Sequence, residues 1–248
     1  MNKRIILSSI YLLMSVCLSA QVKRVQNRPY TDLRPFHLGV LVGAHFQDLE
    51  LNNVGPQLIT FEDGTQKEQL IVCDQDSWDL GFQVGVLGEL RLGNPFALRA
   101  APSLYFGNRR IKFINYSEQL QDGSLVKETQ DLKSIYVSIP VEITFAALRL
   151  NNARPYFMAG VAPMLNLSSK DNSILKFKRY DCYAEIGLGC DFYLPFFKLR
   201  PELKFMYSLL DVLDKKHPDN IKDINIRKFA TSVSGVQTKM IALTFYFE

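Results

Sequence analysis

Two groups of polar residues have the types and spacing to do chemistry. The first is His45, Asp76 and Ser77. A histidine, a carboxylate and a hydroxyl are what acyl transfer needs: a base, a group to orient it and a nucleophile. His45 closes one alternating stretch, and Asp76 and Ser77 open the next, so adjacent strands could bring all three to one rim. Three common polar side chains at a wet rim are usually only solvated, so no enzyme is expected, and a rim site at these residues is the alternative. The second group is Glu89, Arg99, Glu142, Glu185, Arg200, Glu202 and Lys204. Each falls on the polar side of a two-residue alternation. If that side is enclosed, the charges must pair, because a lone buried charge is very costly. Glu89 and Arg99 flank one tight turn and are expected to face each other across it. The expected role of the group is structural, a plug of salt bridges, with a proton-coupled or substrate-gating site as the alternative.

The elements carrying these residues read as strands. In Phe36–Phe46 the apolar positions are Phe36, Leu38, Val40, Val42, Ala44 and Phe46, alternating with residues such as His37, Gly39, Gly43 and His45. The same period of two runs through Trp78–Arg91, Ser134–Phe145 and Phe197–Leu209, and more weakly through Phe96–Phe106, Arg154–Leu167, Tyr180–Leu194 and Val236–Phe247. Period two is the strand signal. The connections alternate in length: Gln47–Ser77, Arg109–Lys133 and Leu210–Gly235 are long, Ser168–Arg179 is intermediate, and Leu92–Pro95, Leu150–Ala153 and Pro195–Phe196 are short. The expectation is an all-β fold: an eight-stranded antiparallel transmembrane β-barrel with long extracellular loops and short periplasmic turns. An even strand count would put both termini in the periplasm.

Composition agrees. The chain has 248 residues, 47% of them hydrophobic, and a net charge of only +4. Lys and Arg are scattered, so no nucleic-acid surface is expected. Mean hydropathy is near zero, and after the N-terminus no apolar run reaches the length of a transmembrane helix. Residues 1–20 read as a cleavable signal peptide: Lys3 and Arg4, an apolar stretch from Ile5 to Leu18, then Ser19 and Ala20. Residues 21–35 read as a polar periplasmic linker and residues 36–248 as the barrel. Cys17 leaves with the signal. Of the remaining Cys73, Cys182 and Cys190, the last two would lie roughly 27 Å apart on one extended strand, too far to pair. No spacing suggests a metal site, and no cofactor is expected.

Alternation alone does not say which face meets lipid. Gly39, Gly43, Gly81, Gly85, Gly107, Gly160, Gly187 and Gly189 all share the polar face. A narrow lumen needs small side chains, whereas a solvated outer face does not. Phe36, Phe96, Phe145, Phe157, Phe192, Phe196, Phe197, Phe245 and Phe247 gather at the short-turn ends of the strands, like an interfacial girdle. The apolar face is therefore expected outside. Pro102, Pro140, Pro163 and Pro201 fall within predicted strands, where a proline cannot donate to the ladder, so bulges or breaks are expected there.

Several segments resemble the PorT family of outer-membrane β-barrels, part of the type IX secretion system of Bacteroidetes. The resemblance is carried by Arg91-Leu92-Gly93, Leu98-Arg99, Pro102-Ser103-Leu104-Tyr105-Phe106-Gly107 and Arg154-Pro155-Tyr156. It is strongest over Asp191-Phe192-Tyr193-Leu194-Pro195-Phe196-Phe197-Lys198 and Pro201-Glu202-Leu203-Lys204-Phe205, and it extends to the ending Leu243-Thr244-Phe245-Tyr246-Phe247-Glu248. It implies a non-catalytic role in exporting proteases, adhesins or gliding-motility proteins across the outer membrane. The implied partners are outer-membrane lipid and other type IX secretion components, met through loops 47–77 and 210–235 or the periplasmic turns. Glu248 departs from the terminal aromatic usual in outer-membrane barrels.

Overall fold

The computed structural model describes residues 26–61, 64–75, 77–119, 123–168, 174–221 and 223–248. The expected signal peptide and Asp76 lie outside the described residues. The strands are β1 (Phe36–Asn53), β2 (Pro56–Thr60), β3 (Gln66–Gln75), β4 (Asp79–Arg91), β5 (Phe96–Ala100), β6 (Ser103–Gln119), β7 (Leu125–Ser138), β8 (Val141–Ala146), β9 (Ala153–Asn166), β10 (Tyr180–Tyr193), β11 (Lys198–Ser208) and β12 (Val233–Phe247). A short helix, α1 (Ile224–Ala230), precedes β12.

These segments form one antiparallel ring. Its order is β1, β4, β5, β8, β9, β10, β11 and β12, and β12 pairs back to β1. β5 and β6 are one barrel strand interrupted at Ala101–Pro102, and β7 and β8 are one strand interrupted at Ile139–Pro140. The ring therefore has eight staves, with the β2–β3 hairpin added outside it through β3–β6 pairing.

The prolines sit where the ladder can spare a donor. Pro102 and Pro140 occupy the two breaks. Pro102 O accepts from Val86 N at 3.0 Å, and Pro163 O accepts from Ile139 N at 3.2 Å, so both carbonyls remain bonded. Pro163 thus stands opposite the β7–β8 break. Pro201 lies where the β10–β11 register skips from Gly189↔Glu202 to Phe192↔Leu199.

The apolar face points outward. Leu38, Val40, Leu80, Phe82, Val86, Leu203 and Leu243 are exposed, while Gln83, Arg99, Glu142 and Thr244 are buried. The phenylalanines form a belt at the short-turn rim, with Phe96 on Phe145 (centroids 5.2 Å apart) and Phe197 on Phe247 (6.1 Å). The inward glycines let neighbours close in: a Cβ at Gly160 would lie 2.5 Å from Val141 O.

The outward face changes character at one level. On β1, apolar Phe46 is followed by Asp48, and on β12, Ile241 by Lys239. Phe46 pairs with Ile241 and Asp48 with Lys239. On the neighbouring hairpin, Phe106 pairs with Ile135 and Asn108 with Lys133, so the boundary runs along the ladder. From Phe36 to Phe46 is roughly 33 Å of strand. At a tilt of about 45° that gives a band of roughly 25 Å, the height of lipid a barrel spans.

Beyond this level the interior turns apolar. Leu49, Ile71, Cys73, Ile111, Phe113, Phe177, Val212, Phe229 and Val236 form one buried cluster. α1 contributes Phe229, whose ring meets Phe113 edge-on at 5.7 Å. Asp223 caps the helix by accepting from Asn225 N at 2.8 Å. The stretches expected as long loops are therefore largely folded: 47–77 continues β1 and forms a hairpin, 109–133 is mostly β6 and β7, and 210–235 holds α1 and the start of β12. The strands outrun the membrane and build a water-soluble β-extension with its own core.

Val42→Arg, at mid-band, is expected to cost about 2–4 kcal/mol. Asn108→Arg, on the outward face just past the boundary, is expected to stay within about 0.5 kcal/mol. Urea titration of the protein folded into vesicles reads both.

Candidate functional site

Because side chains alternate along a strand, β11 sends Lys198, Arg200, Glu202 and Lys204 to the same side, all of them buried in the lumen. β4 adds Glu89, β5 Arg99, β8 Glu142, and β10 Glu185 and Asp191. Arg99 is fully buried. Its Nη2 donates to both Glu202 carboxylate oxygens at 2.9 and 2.7 Å, and its Nε donates to Glu142. Lys204 Nζ donates to Glu142 at 2.5 Å and to Glu185 at 3.4 Å. Glu202 also accepts from Tyr156 OH at 2.7 Å and Tyr246 OH at 3.2 Å, and the Arg99 guanidinium lies 4.7 Å from the Tyr246 ring centre. Gly189 makes room for Tyr156, whose ring occupies the space a Cβ there would need.

A second layer lies nearer the short turns. Arg200 donates to Glu89 at 2.8 and 3.1 Å and to Asp191 at 2.6 Å. Glu248, just past β12, stands 2.6 Å from Lys198 Nζ and 2.5 Å from His37 Nδ1. Burial disfavours a charged Glu248, but the His37 hydrogen bond and the Lys198 and Arg200 charges outweigh it and hold its carboxyl at about 2.

Residues 27–32 then cross the short-turn mouth. Asn27 N donates to Asn152 Oδ1 at 2.9 Å, and Asn27 Nδ2 to Tyr193 O at 3.0 Å. Arg28 Nη1 donates to Glu248 O at 3.0 Å, and Tyr193 OH to Asp32 Oδ1 at 2.5 Å. The Arg149 guanidinium lies 3.6 Å from the Tyr193 ring centre. Residues 27–32 of the stretch expected as a linker are thus docked as a strap, and residues 21–25 of it lie outside the described residues. Between strap and charges a cavity of about 30 Å³ remains, lined in part by Asp32, His37, Glu89 and Arg200, with room for little more than a water.

All seven charged residues singled out from the sequence converge in this network. One expected detail is corrected. Glu89 and Arg99 are ladder partners, but they do not pair with each other: Glu89 binds Arg200 across the lumen, while Arg99 binds Glu142, its ladder partner on the other side, and Glu202 across the lumen. In a closed barrel a long side chain reaches the facing wall, where the opposite charge stands. Sequence reasoning missed Asp191, Lys198, Glu248, His37, Tyr156 and Tyr246. The signal was present for Asp191 and Lys198, which share the inward parity on either side of a tight turn.

The rim site does not assemble. His45 is wholly buried in mid-lumen, edge-on to Tyr105 at 5.3 Å and packed on Gly81. Neither of its ring nitrogens has a hydrogen-bond partner among the described residues. Ser77 is exposed just before β4, four residues from Gly81, the ladder partner of His45, so no hydroxyl–histidine pair forms. His45 follows the inward parity of β1, and the strand continues past it to Asn53, which removes it from any rim. Cys73, Cys182 and Cys190 are free.

A sheet closed on itself, apolar outside and charged within, defines a membrane β-barrel. Residues 20–214 match the family described as "Outer membrane protein beta-barrel domain". The chain belongs to that family and is an integral protein of the outer membrane. Among solved structures it is similar to Neisserial surface protein A, with a TM-score of 0.43 and 11% identity over 86% of this chain and 98% of that one. It is similar to OprG from Pseudomonas aeruginosa, with a TM-score of 0.44 and 12% identity over 85% and 93% of the two chains. It is also similar to Ail of Yersinia pestis, solved with the heparin analogue sucrose octasulfate, with a TM-score of 0.36 and 15% identity over 87% and 100%. No curated protein matches the chain.

Arg99→Met leaves Glu142 and Glu202 facing each other and is expected to destabilise the barrel by about 3–5 kcal/mol. Adding Glu202→Gln should recover part of that loss, read by the same urea titration. For Glu248 the folded pKa is depressed, so its contribution is present above the ordinary carboxylate pKa and is lost as pH falls through about 2. Glu248→Gln should flatten the pH dependence of stability between about pH 4.5 and 2, measured by unfolding at stepped pH.

Proposed function

We propose that this protein is a non-catalytic component of type IX protein export, like the PorT family it resembles, and that it acts by contact rather than as the conduit. The observation that carries the second half is the blocked lumen. The strap closes one mouth, the ion-pair network fills the lower barrel, and the apolar cluster seals the other end. An unfolded chain cannot thread such an interior, because it would have to break a buried charge network that is costly to leave unpaired. The network itself has a structural role, holding facing walls together.

The segments carrying the resemblance support the first half. Arg91–Gly93, Leu98–Arg99 and Asp191–Phe205 build the short-turn end and supply Arg99, Asp191, Lys198, Arg200, Glu202 and Lys204 to the network. In this reading the short turns and both termini face the periplasm, and the β-extension faces outward. Partners meet the barrel at the turns or at residues 47–77 and 210–235. A second reading, a surface-binding barrel, draws on the folded extension, which offers a shaped surface beyond the lipid.

Deletion of the gene in its native host should leave many unrelated export substrates in the periplasm while the outer membrane stays intact; unchanged export would sink the secretion assignment and leave surface binding. Purified protein in planar bilayers should show no stable conductance. Steady open channels would overturn the blocked-lumen argument.

A further inference from the structure

Among the described residues the β-extension contains a sheet edge without a strand partner. β7 is bonded along its whole length to β6, from Gln119↔Leu125 to Ser103↔Ser138. On its other side it meets β9 only at Tyr136, Val137 and Ser138. Just above, Ile135 O accepts from Leu167 N at 2.9 Å, and Ile135 N donates to Ser168 Oγ at 3.1 Å. These bonds show that the odd-numbered residues of β7 aim their backbone groups away from β6. Continuing upward, Lys127, Thr129 and Asp131 aim N–H and C=O the same way, and among the described residues no backbone partner meets them. A row of free donors and acceptors at strand spacing is a template for another strand.

A groove runs along this edge. It measures about 740 Å³ and touches Glu128, Thr129, Gln130 and Asp131 in succession. Consecutive side chains of a strand point to opposite faces, so a space that touches four in a row must lie edge-on to the strand. The opposite wall includes Ile174, Ile221 and Ile226. A wall on each side suits an extended chain laid along the edge better than the sheet edge of a folded second copy. The backbone groups select a polypeptide, and the isoleucines select apolar side chains at alternate positions.

We propose that the β7 edge binds an extended segment of a partner polypeptide by strand addition, with backbone pairing at Lys127, Thr129 and Asp131 and an apolar side chain against the facing isoleucines. The inference stands without the secretion reading, since it concerns binding by the purified barrel and not an export phenotype.

The test uses the full-length folded protein in detergent and a fluorescein-labelled heptapeptide alternating valine and threonine. Saturable binding is expected. Hydrogen exchange at the Lys127, Thr129 and Asp131 amides should be fast in the free protein and slow in the complex, while Glu128 and Gln130 stay slow throughout. N-methylation of alternate peptide residues should weaken binding about tenfold or more in one phase and little in the other, because only one set of N–H groups faces β7. Methylating the peptide avoids relying on Thr129→Pro, a variant that could misfold. Absence of saturable binding overturns the proposal, as does equal tolerance of both methylation patterns. Slow exchange at Lys127, Thr129 and Asp131 before peptide is added would also overturn it, showing that the chain covers its own edge. So would a detergent-stable dimer that the peptide does not displace, which would make a second copy the occupant.

Discussion

In lipid there is no water to satisfy an unpaired backbone N–H or C=O, and each one left bare costs several kcal/mol. Ring closure answers this constraint, and the rest of the structure follows from it. β12 must pair with β1, and β9 with β10, so the number of staves is fixed by the ladder and the lumen can only be narrow. A narrow lumen must then be filled. Glycine is used where walls approach, and charged side chains span the gap because they reach across it and find partners. The prolines obey the same rule: Pro102 and Pro140 stand at breaks in their own strands, Pro163 opposite one, and Pro201 in a gap of the β10–β11 pairing.

The same strands serve two solvents. Side-chain parity is kept along β1, β6, β7 and β12 as they cross the lipid boundary, but the hydrophobic side inverts where Phe46 gives way to Asp48 and Ile241 to Lys239. Within lipid the apolar side faces out and polar groups are enclosed. In water the apolar side faces in, and Leu49, Ile111, Phe113 and Val236 make an ordinary buried core. A barrel that needs no loop to cross this boundary carries a rigid platform above the membrane, and a rigid platform can hold a sheet edge and a facing wall in fixed register.

The charges are unevenly distributed for a related reason. Near the short turns the lumen is furnished with arginines, lysines and carboxylates, and the strap adds Arg28 and Asp32 at the mouth. In mid-lumen the lining shifts to Tyr105, Tyr136, Met164, Met206 and Met240, and His45 lies buried beside Tyr105. Charge density is highest toward the short turns and falls in mid-lumen. Glu248, held between His37 and Lys198, ties the end of β12 into this network.

By itself the sequence determined everything that depends on period and parity. It placed eight staves, the outward apolar face, the phenylalanine belt, the inward glycines and the identity of the enclosed charges from Glu89 to Lys204, because those are local properties of alternating residues. It also marked where the prolines would trouble the ladder. Only the tertiary structure decided which charge meets which. Glu89 and Arg99 are ladder neighbours that do not pair: Glu89 meets Arg200 on the facing wall, and Arg99 holds both its other neighbour Glu142 and the facing Glu202, and the facing-wall contacts exist only once the ring has closed. It decided that His45 is enclosed and not at a rim, because strand length beyond the lipid is set by packing on Phe113 and Phe229. Finally, it showed that residues 27–32 dock and that, among the described residues, the outer part of β7 has no strand partner on its second side, since both depend on which surfaces lie side by side once the ring has closed.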